Sequence, residues 1–345
     1  MTRFRFAAFT LTFAGVVGVA LVGRSAPDST GGKMKAAADT FLGSLSPELK
    51  KKATFDFNDK HRTAWFFTPQ QDKEKHFTRK GARLEEMTAD QKKAALALLK
   101  SGLSAQGYEQ ATTIMGLENL LAEWEGPKGA NTRNPGWYFV SVFGEPSNTG
   151  KWGWRVEGHH MSVNYTLDKG EVIDGTPILF GSNPAEVKDG PKKGLRPLPD
   201  IEDHVRALIK SLTADQDKAA KRDKEFSEIK EGQPKAGVGP AVGITADKLT
   251  ADQKATLMKL LRAYADRMPE ELAEGEMKKA TATPDAKLYF AYSGSATPGE
   301  PYTYRVQGPE FVVEFLNVQA DSAKNPANHI HSTWRRLPSD FGLSE

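Results

Sequence analysis

Two periods of apolar residues run through this chain. Between positions 88 and 125 they recur every three or four residues, at Leu96, Leu99 and Leu103 and then at Ile114, Leu117, Leu120, Leu121 and Trp124, which predicts two helices broken near Gly107. The same period returns at Leu257, Leu260, Leu261, Tyr264 and Met268, and Pro269 stops it. A common phrase marks the helix starts: Met87-Thr88-Ala89-Asp90-Gln91, Leu212-Thr213-Ala214-Asp215-Gln216 and Leu249-Thr250-Ala251-Asp252-Gln253. In each, a Thr can cap the first turn and the Gln three residues on can return a hydrogen bond to the Thr amide.

The second period is two. Tyr138 to Gly144 reads as an aromatic and β-branched strand, followed by a loop and a second strand through Arg155-Val156-Glu157-Gly158. Leu288 to Gly294, followed by Arg305-Val306-Gln307-Gly308, repeats this at a constant offset of 150 positions. Helices followed by antiparallel strands therefore occur twice, and the expected fold is α+β: an internally duplicated unit, residues 83–170 matching 248–320, with the two sheets sharing or facing one core. One large domain is expected over 41–345, its first short helix within Phe41 to Phe57. Residues 171–199 are rich in Gly and Pro, 230–245 read as a linker or surface loop, and 27–40 as a tether.

Composition changes this picture at the N-terminus. Arg3 and Arg5, an uncharged stretch from Phe6 to Gly23 and then small and polar residues follow the order of a secretory signal. Removal of residues 1–26 would take three of the 47 basic side chains and none of the 44 acidic ones, so the formal charge of +3 belongs to the leader. The expected location is periplasmic or extracellular. An uncleaved anchor over residues 6–23 is the alternative, and the only expected route to a membrane. A balanced body gives no electrostatic reason to bind nucleic acid. The absence of cysteine excludes disulfides, thiolate nucleophiles and Cys-ligated metals.

Candidate chemistry lies where the two copies differ. Superposed, His159, His160 and Asn164 stand against Pro309, Glu310 and Glu314. On an extended strand His160, Ser162 and Asn164 share one face, as do Glu310, Val312 and Glu314. Beyond the repeat, His329 and His331 in Asn328-His329-Ile330-His331-Ser332 would project the same way, an arrangement by which two imidazoles grip one metal ion. Expected metal ligands are His160, Glu314, His329 and His331, holding one divalent transition metal: zinc for water activation, or manganese, iron or copper. His159 or Glu310 is the expected proton-transfer group, and Asn164 or Arg335 the group that orients a substrate.

The competing reading is a small-ligand pocket without metal or catalysis, since isolated His-x-His pairs often serve as hydrogen-bonded strand residues. Arg155 is expected to pair with Glu157, and Trp152, Trp154 and Trp334 to pack in the core. His61, His76 and His204 read as surface residues. No phosphate loop, dinucleotide fingerprint, nucleophile elbow or zincin helix is present.

Several stretches together resemble the domain-of-unknown-function 3500 family: Gly158-His159-His160-Met161-Ser162, Thr176-Pro177, Gly181 to Val187, Gly190 to Leu198, Tyr304 to Glu314, His329-Ile330-His331-Ser332 with Trp334-Arg335, and Phe341-Gly342. The likeness covers most of the chain after about residue 80. It implies export in many members and a functional region around the paired histidines and the His-x-His segment, but no activity. Arg336 stands where an acidic residue is usual, and Asp340 is the candidate to replace it.

Overall fold

The computed structural model describes residues 29–343. Helix α1 (Thr30–Ser44) is capped by Ser29 and buries Met34, Ala38, Phe41 and Leu42. It packs on α3, so the expected tether over 27–40 is in large part a core helix. Its Ala, Met, Phe and Leu at helical spacing supply the apolar face that a tether would lack. The expected leader lies outside the described residues. Helix α2 (Pro47–Ala53) leads into strand β1 (Thr54–Phe55), and β2 (Ala82–Arg83) follows a long irregular segment.

Helices α3 (Ala89–Ser101) and α4 (Ala105–Glu125) break at Gly102 to Ser104, not at Gly107. Gly107 lies inside the first turn of α4, where a Cβ would stand 2.2 Å from the Arg267 carbonyl oxygen. Its glycine serves a close approach rather than a helix stop. Strands β3 (Phe139–Phe143), β4 (Lys151–Gly158), β5 (Met161–Asp168), β6 (Glu171–Asp174) and β7 (Ile178–Ser182) follow. Then come α5 (Pro199–Ser211), α6 (Ala214–Ala220), β8 (Ile244–Thr245), α7 (Ala251–Ala265), α8 (Glu270–Ala282), β9 (Tyr289–Gly294), β10 (Tyr302–Gln307), β11 (Phe311–Gln319) and β12 (His329–Arg336). Complete capping boxes open α3, α6 and α7, at the three repeated Thr-Ala-Asp-Gln phrases.

The strands form one sheet in the order β1-β3-β4-β5-β7-β12-β11-β10-β9-β8, with β2 beside β3 and β6 beside β5. Among the described strands the β1–β3 pairing is parallel and the others are antiparallel, with one isolated parallel bridge between Lys221 and Tyr292. The fold is α+β. Stretches related by the 150-position offset occupy mirrored places about the central β7–β12 pair, and their registers agree. Arg155 stands opposite Ser141 and Asn164, and Arg305 opposite Ala291 and Glu314.

Strand alternation divides the sheet into two chemically distinct faces. Trp154, Val156, Val163, Tyr165, Phe180, Tyr304, Val313, Phe315 and Trp334 join the helices in the main core. Each such side chain fully buried contributes roughly 1.5–3 kcal/mol. The opposite face carries Arg155, Glu157, Asn164, Arg305, Glu314, His331 and Arg335, and it too is buried. It is covered by the irregular segments between β1 and β2 and from Arg222 to Gly243, with a small apolar cluster of Trp65, Phe67, Leu179, Ile229, Leu316 and Phe341. The stretch expected as a linker is thus a strap across the polar face. The Trp65 indole N–H donates to the Gln233 carbonyl at 3.0 Å, and the Gly232 amide donates to the Trp65 carbonyl at 2.7 Å.

Candidate metal centre

The β4–β5 hairpin turns at His159 and His160, and β12 begins at His329; these lie at one end of the sheet. His160 has φ +62°, a left-handed conformation that L side chains adopt at a cost. Its backbone is tied on both sides: its N–H donates to the Phe67 carbonyl at 2.8 Å, and its carbonyl accepts from the Gly181 amide at 2.7 Å. Gly181 is opposite His331 in the β7–β12 pairing, and a Cβ there would stand 2.9 Å from the His160 ring. The missing side chain makes the space that the imidazole fills.

Three ring nitrogens converge. His160 Nε2 lies 2.8 Å from His329 Nε2 and 3.3 Å from His331 Nε2. Two nitrogens each about 2.1 Å from one zinc ion stand roughly 3.3 Å apart in a tetrahedral shell, and about 3.0 Å apart at right angles. The His160–His331 separation matches a tetrahedral shell, while His160 and His329 would move apart by a few tenths of an ångström to share an ion. His160 and His331 are buried and His329 is half-buried. Burial pushes His160 and His329 well below the usual imidazole range, and the neighbouring imidazoles and Arg133 add to the effect. Both are held neutral, with lone pairs available.

Two carboxylates stand behind the histidines, and neither was expected from the sequence. His331 Nδ1 is 2.9 Å from Glu228 Oε2 on the strap, which places the ring proton on Nδ1 and leaves Nε2 facing the other two rings. His159 stacks on His160 with ring centroids 3.7 Å apart, and its Nδ1 is 2.5 Å from Glu118 Oε1 on α4. Burial lowers the His159 pKa, Glu118 opposes that, and Arg133 reinforces it. Arg133 is gripped by both oxygens of Glu125 at 2.9 Å and directs Nη1 at the His159 ring. A narrow recess of about 20 Å³, room for about one water, opens beside them, lined in part by Gln70, Arg79, Arg133, Trp137 and His159.

The remaining sequence candidates lie elsewhere. Glu314 pairs with Arg305 at 3.1 Å, in a register like that of Asn164 opposite Arg155, and is not in the histidine group. Asn164 donates to Ser162 Oγ and to the Pro177 carbonyl. Arg335 is fully buried against Asp340 at 2.7 Å and donates to the Lys230 and Gln233 carbonyls of the strap. Glu310 is exposed, just beyond the end of β11 that pairs with Arg336. That is six strand positions from Leu316, the partner of His331, or roughly 20 Å. His61 is buried rather than on the surface, enclosed by Phe55, Phe143 and Arg155. Arg155 does pair with Glu157, at 3.2 Å, and Trp152, Trp154 and Trp334 are core residues.

Of the residues that sequence reasoning missed, Glu118 left a trace. It sits four residues after Ile114 and three before Leu121, a carboxylate inside the apolar stripe of α4. Glu228 left none, because it lies in a charged stretch without period.

Fold and site together define an α+β protein with one large, mostly antiparallel sheet and a buried cluster of histidines at its end. Residues 28–343 match the model of the family described as Protein of unknown function (DUF3500), and the chain belongs to that family. No curated protein and no solved structure matches the chain.

Proposed function

We propose that this protein is a metal-dependent enzyme that holds one divalent transition metal on His160, His329 and His331, with hydrolysis preferred over oxidation. The convergence of one ring nitrogen from each of these three histidines, all within 4.8 Å of one another, carries this reading. A histidine that ligates a metal does so as a neutral imidazole, so the full charge of the metal would act on a bound water, lowering its pKa toward about 7 as three-histidine zinc sites do. Imidazole donors favour zinc or copper over manganese, and the lack of a carboxylate in the trio speaks against the iron oxygenase pattern. His159, stacked on His160 and oriented by Glu118, is the proton-transfer group.

Metal analysis of tag-free protein tests the reading. About one equivalent of zinc or copper, with a rise in unfolding temperature on adding that metal, is expected. Less than roughly a tenth of an equivalent, and no thermal shift with zinc, manganese, iron or copper, overturns it. Turnover of activated esters by the zinc-loaded form then separates hydrolysis from redox chemistry.

Export is also proposed, supported by the arginine-then-apolar order of residues 3–23. Among the described residues no helix is long and apolar enough to cross a membrane. The N-terminal sequence of the protein recovered from its native cell fractions tests this.

A further inference from the structure

Two acidic residues of the strap hold two of the three histidines. Glu228 Oε2 faces His331 Nδ1 at 2.9 Å, while Glu228 Oε1 accepts from the Ile229 amide at 2.9 Å, which fixes the carboxylate to its own backbone. Three residues on, Glu231 gathers the segment that carries Phe67. Its Oε2 accepts from the Phe67 and Thr68 amides at 2.8 and 3.1 Å, and its Oε1 from the Thr68 hydroxyl at 2.7 Å and the Gln70 amide group at 3.1 Å. The Phe67 carbonyl in turn accepts from the His160 amide, and the Phe67 ring meets His331 edge-on at 4.9 Å. Between the two glutamates, Ile229 is buried with Trp65 and Phe67, and Arg335 binds the Lys230 carbonyl. The stretch from Glu228 to Glu231 is therefore anchored on the sheet at several points.

We propose that Glu228 and Glu231 are positioning residues of the metal centre: Glu228 fixes the tautomer and rotation of His331, and Glu231, through Phe67, holds the left-handed backbone of His160. This rests on the metal reading above. Neither carboxylate belongs to the converging trio, and both act on groups that do. Removing an outer partner of a ligand histidine typically weakens metal binding about 10- to 100-fold. Glu228 is partly exposed, so water can replace some of its effect, and the lower end of that range is expected.

The test is the zinc affinity of full-length, tag-free protein, measured by competition with a chromophoric chelator. Glu228→Ala should weaken zinc binding about tenfold, and Glu228→Gln, whose amide oxygen still accepts from Nδ1–H, should recover part of the loss. Glu231→Ala should weaken it by a similar factor, and Glu225→Ala on the same strap should leave it unchanged. A purely structural role for Glu228 would lower the metal-free unfolding temperature and leave affinity intact. Wild-type protein that binds zinc, with all four variants within twofold of it, overturns the positioning role alone. Wild-type protein that binds no zinc overturns the metal reading itself.

Discussion

His160 Nε2 and His329 Nε2 face each other at 2.8 Å, from a hairpin and a strand 169 positions apart in sequence. As a hydrogen bond this contact needs one proton between two nitrogens, and the approach of His331 Nε2 to the same atom at 3.3 Å would have to share it. A metal ion satisfies all three lone pairs at once. Each of His160→Ala, His329→Ala and His331→Ala is therefore expected to lower zinc affinity by at least about 100-fold, since a two-nitrogen remnant is a poor site. His204→Ala should bind as wild type does. Equilibrium dialysis with zinc checks both groups, and equal binding by all four variants contradicts the assignment.

Gly181 offers a separate handle on the same centre. A Cβ at this position would stand 2.7 Å from the Ile330 carbonyl oxygen and 2.9 Å from the His160 ring. The backbone oxygen cannot move far within the β7–β12 ladder, so the imidazole has to yield. Gly181→Ala is expected to cost about 1–3 kcal/mol of stability by overcrowding and to weaken zinc binding as well. Denaturant melts with and without zinc separate the two effects. A variant that loses stability but keeps full zinc affinity would show that His160 has another place to go.

Glu314 is expected to behave in the opposite way. Its carboxylate and the Arg305 guanidinium are almost wholly buried together, and burial pushes the Glu314 carboxyl up despite Arg305 and Arg335 beside it. Glu314→Ala leaves a buried cation with no counter-charge on its strand neighbour, a loss of about 3–5 kcal/mol. Zinc stoichiometry should stay at that of the wild type. A variant that melts normally but no longer binds metal would return Glu314 to the ligand set.

The contrast between Glu314 and the histidines shows what was legible in the sequence. The offset of 150 positions carried real structural information, because it also relates the strand registers at Arg155 and Arg305. Alternation put Asn164 and Glu314 on the polar face of the sheet, which is where they lie, whereas His160 sits in the hairpin turn and takes its direction from a left-handed backbone. Strand order was the missing quantity. With β7 between β5 and β12, the hairpin turn at His160 meets the start of β12, while Glu314 sits further along β11. A period of two says which face a side chain points to and nothing about its position along the neighbouring strand. The same limit hid the strap. Residues 222–243 have no apolar period, yet Ile229, Glu228 and Glu231 tie them to the sheet through contacts that only tertiary structure creates. His61 departs from expectation for a related reason: the charged residues beside it, Lys60 and Arg62, point to solvent, yet its ring is buried. Arg62 is itself buried, held by the Phe57 carbonyl.

His61 supplies a pH test that is independent of any metal. Arg155 Nη2 lies 2.9 and 3.1 Å from its ring nitrogens, so the imidazole must be neutral to accept from that guanidinium. Burial is the main cause that pushes its pKa down to about 3, and the charges of Arg155, Lys80 and Arg79 act in the same direction. The unfolded chain has an ordinary imidazole near 6.5. Above that value neither state is protonated, and His61 adds no pH dependence. As pH falls below it, the unfolded state takes up a proton that the folded state refuses, so stability is lost at about 1.4 kcal/mol per pH unit until pH nears the folded value. His61→Gln keeps an acceptor for Arg155 and cannot titrate. Between pH 6 and pH 4 the wild type is therefore expected to lose about 2–3 kcal/mol more than His61→Gln, whatever the variant's stability at neutral pH. Urea melts of both proteins across that interval, with their slopes compared, decide it; parallel slopes would mean that His61 can accept its proton in the folded state.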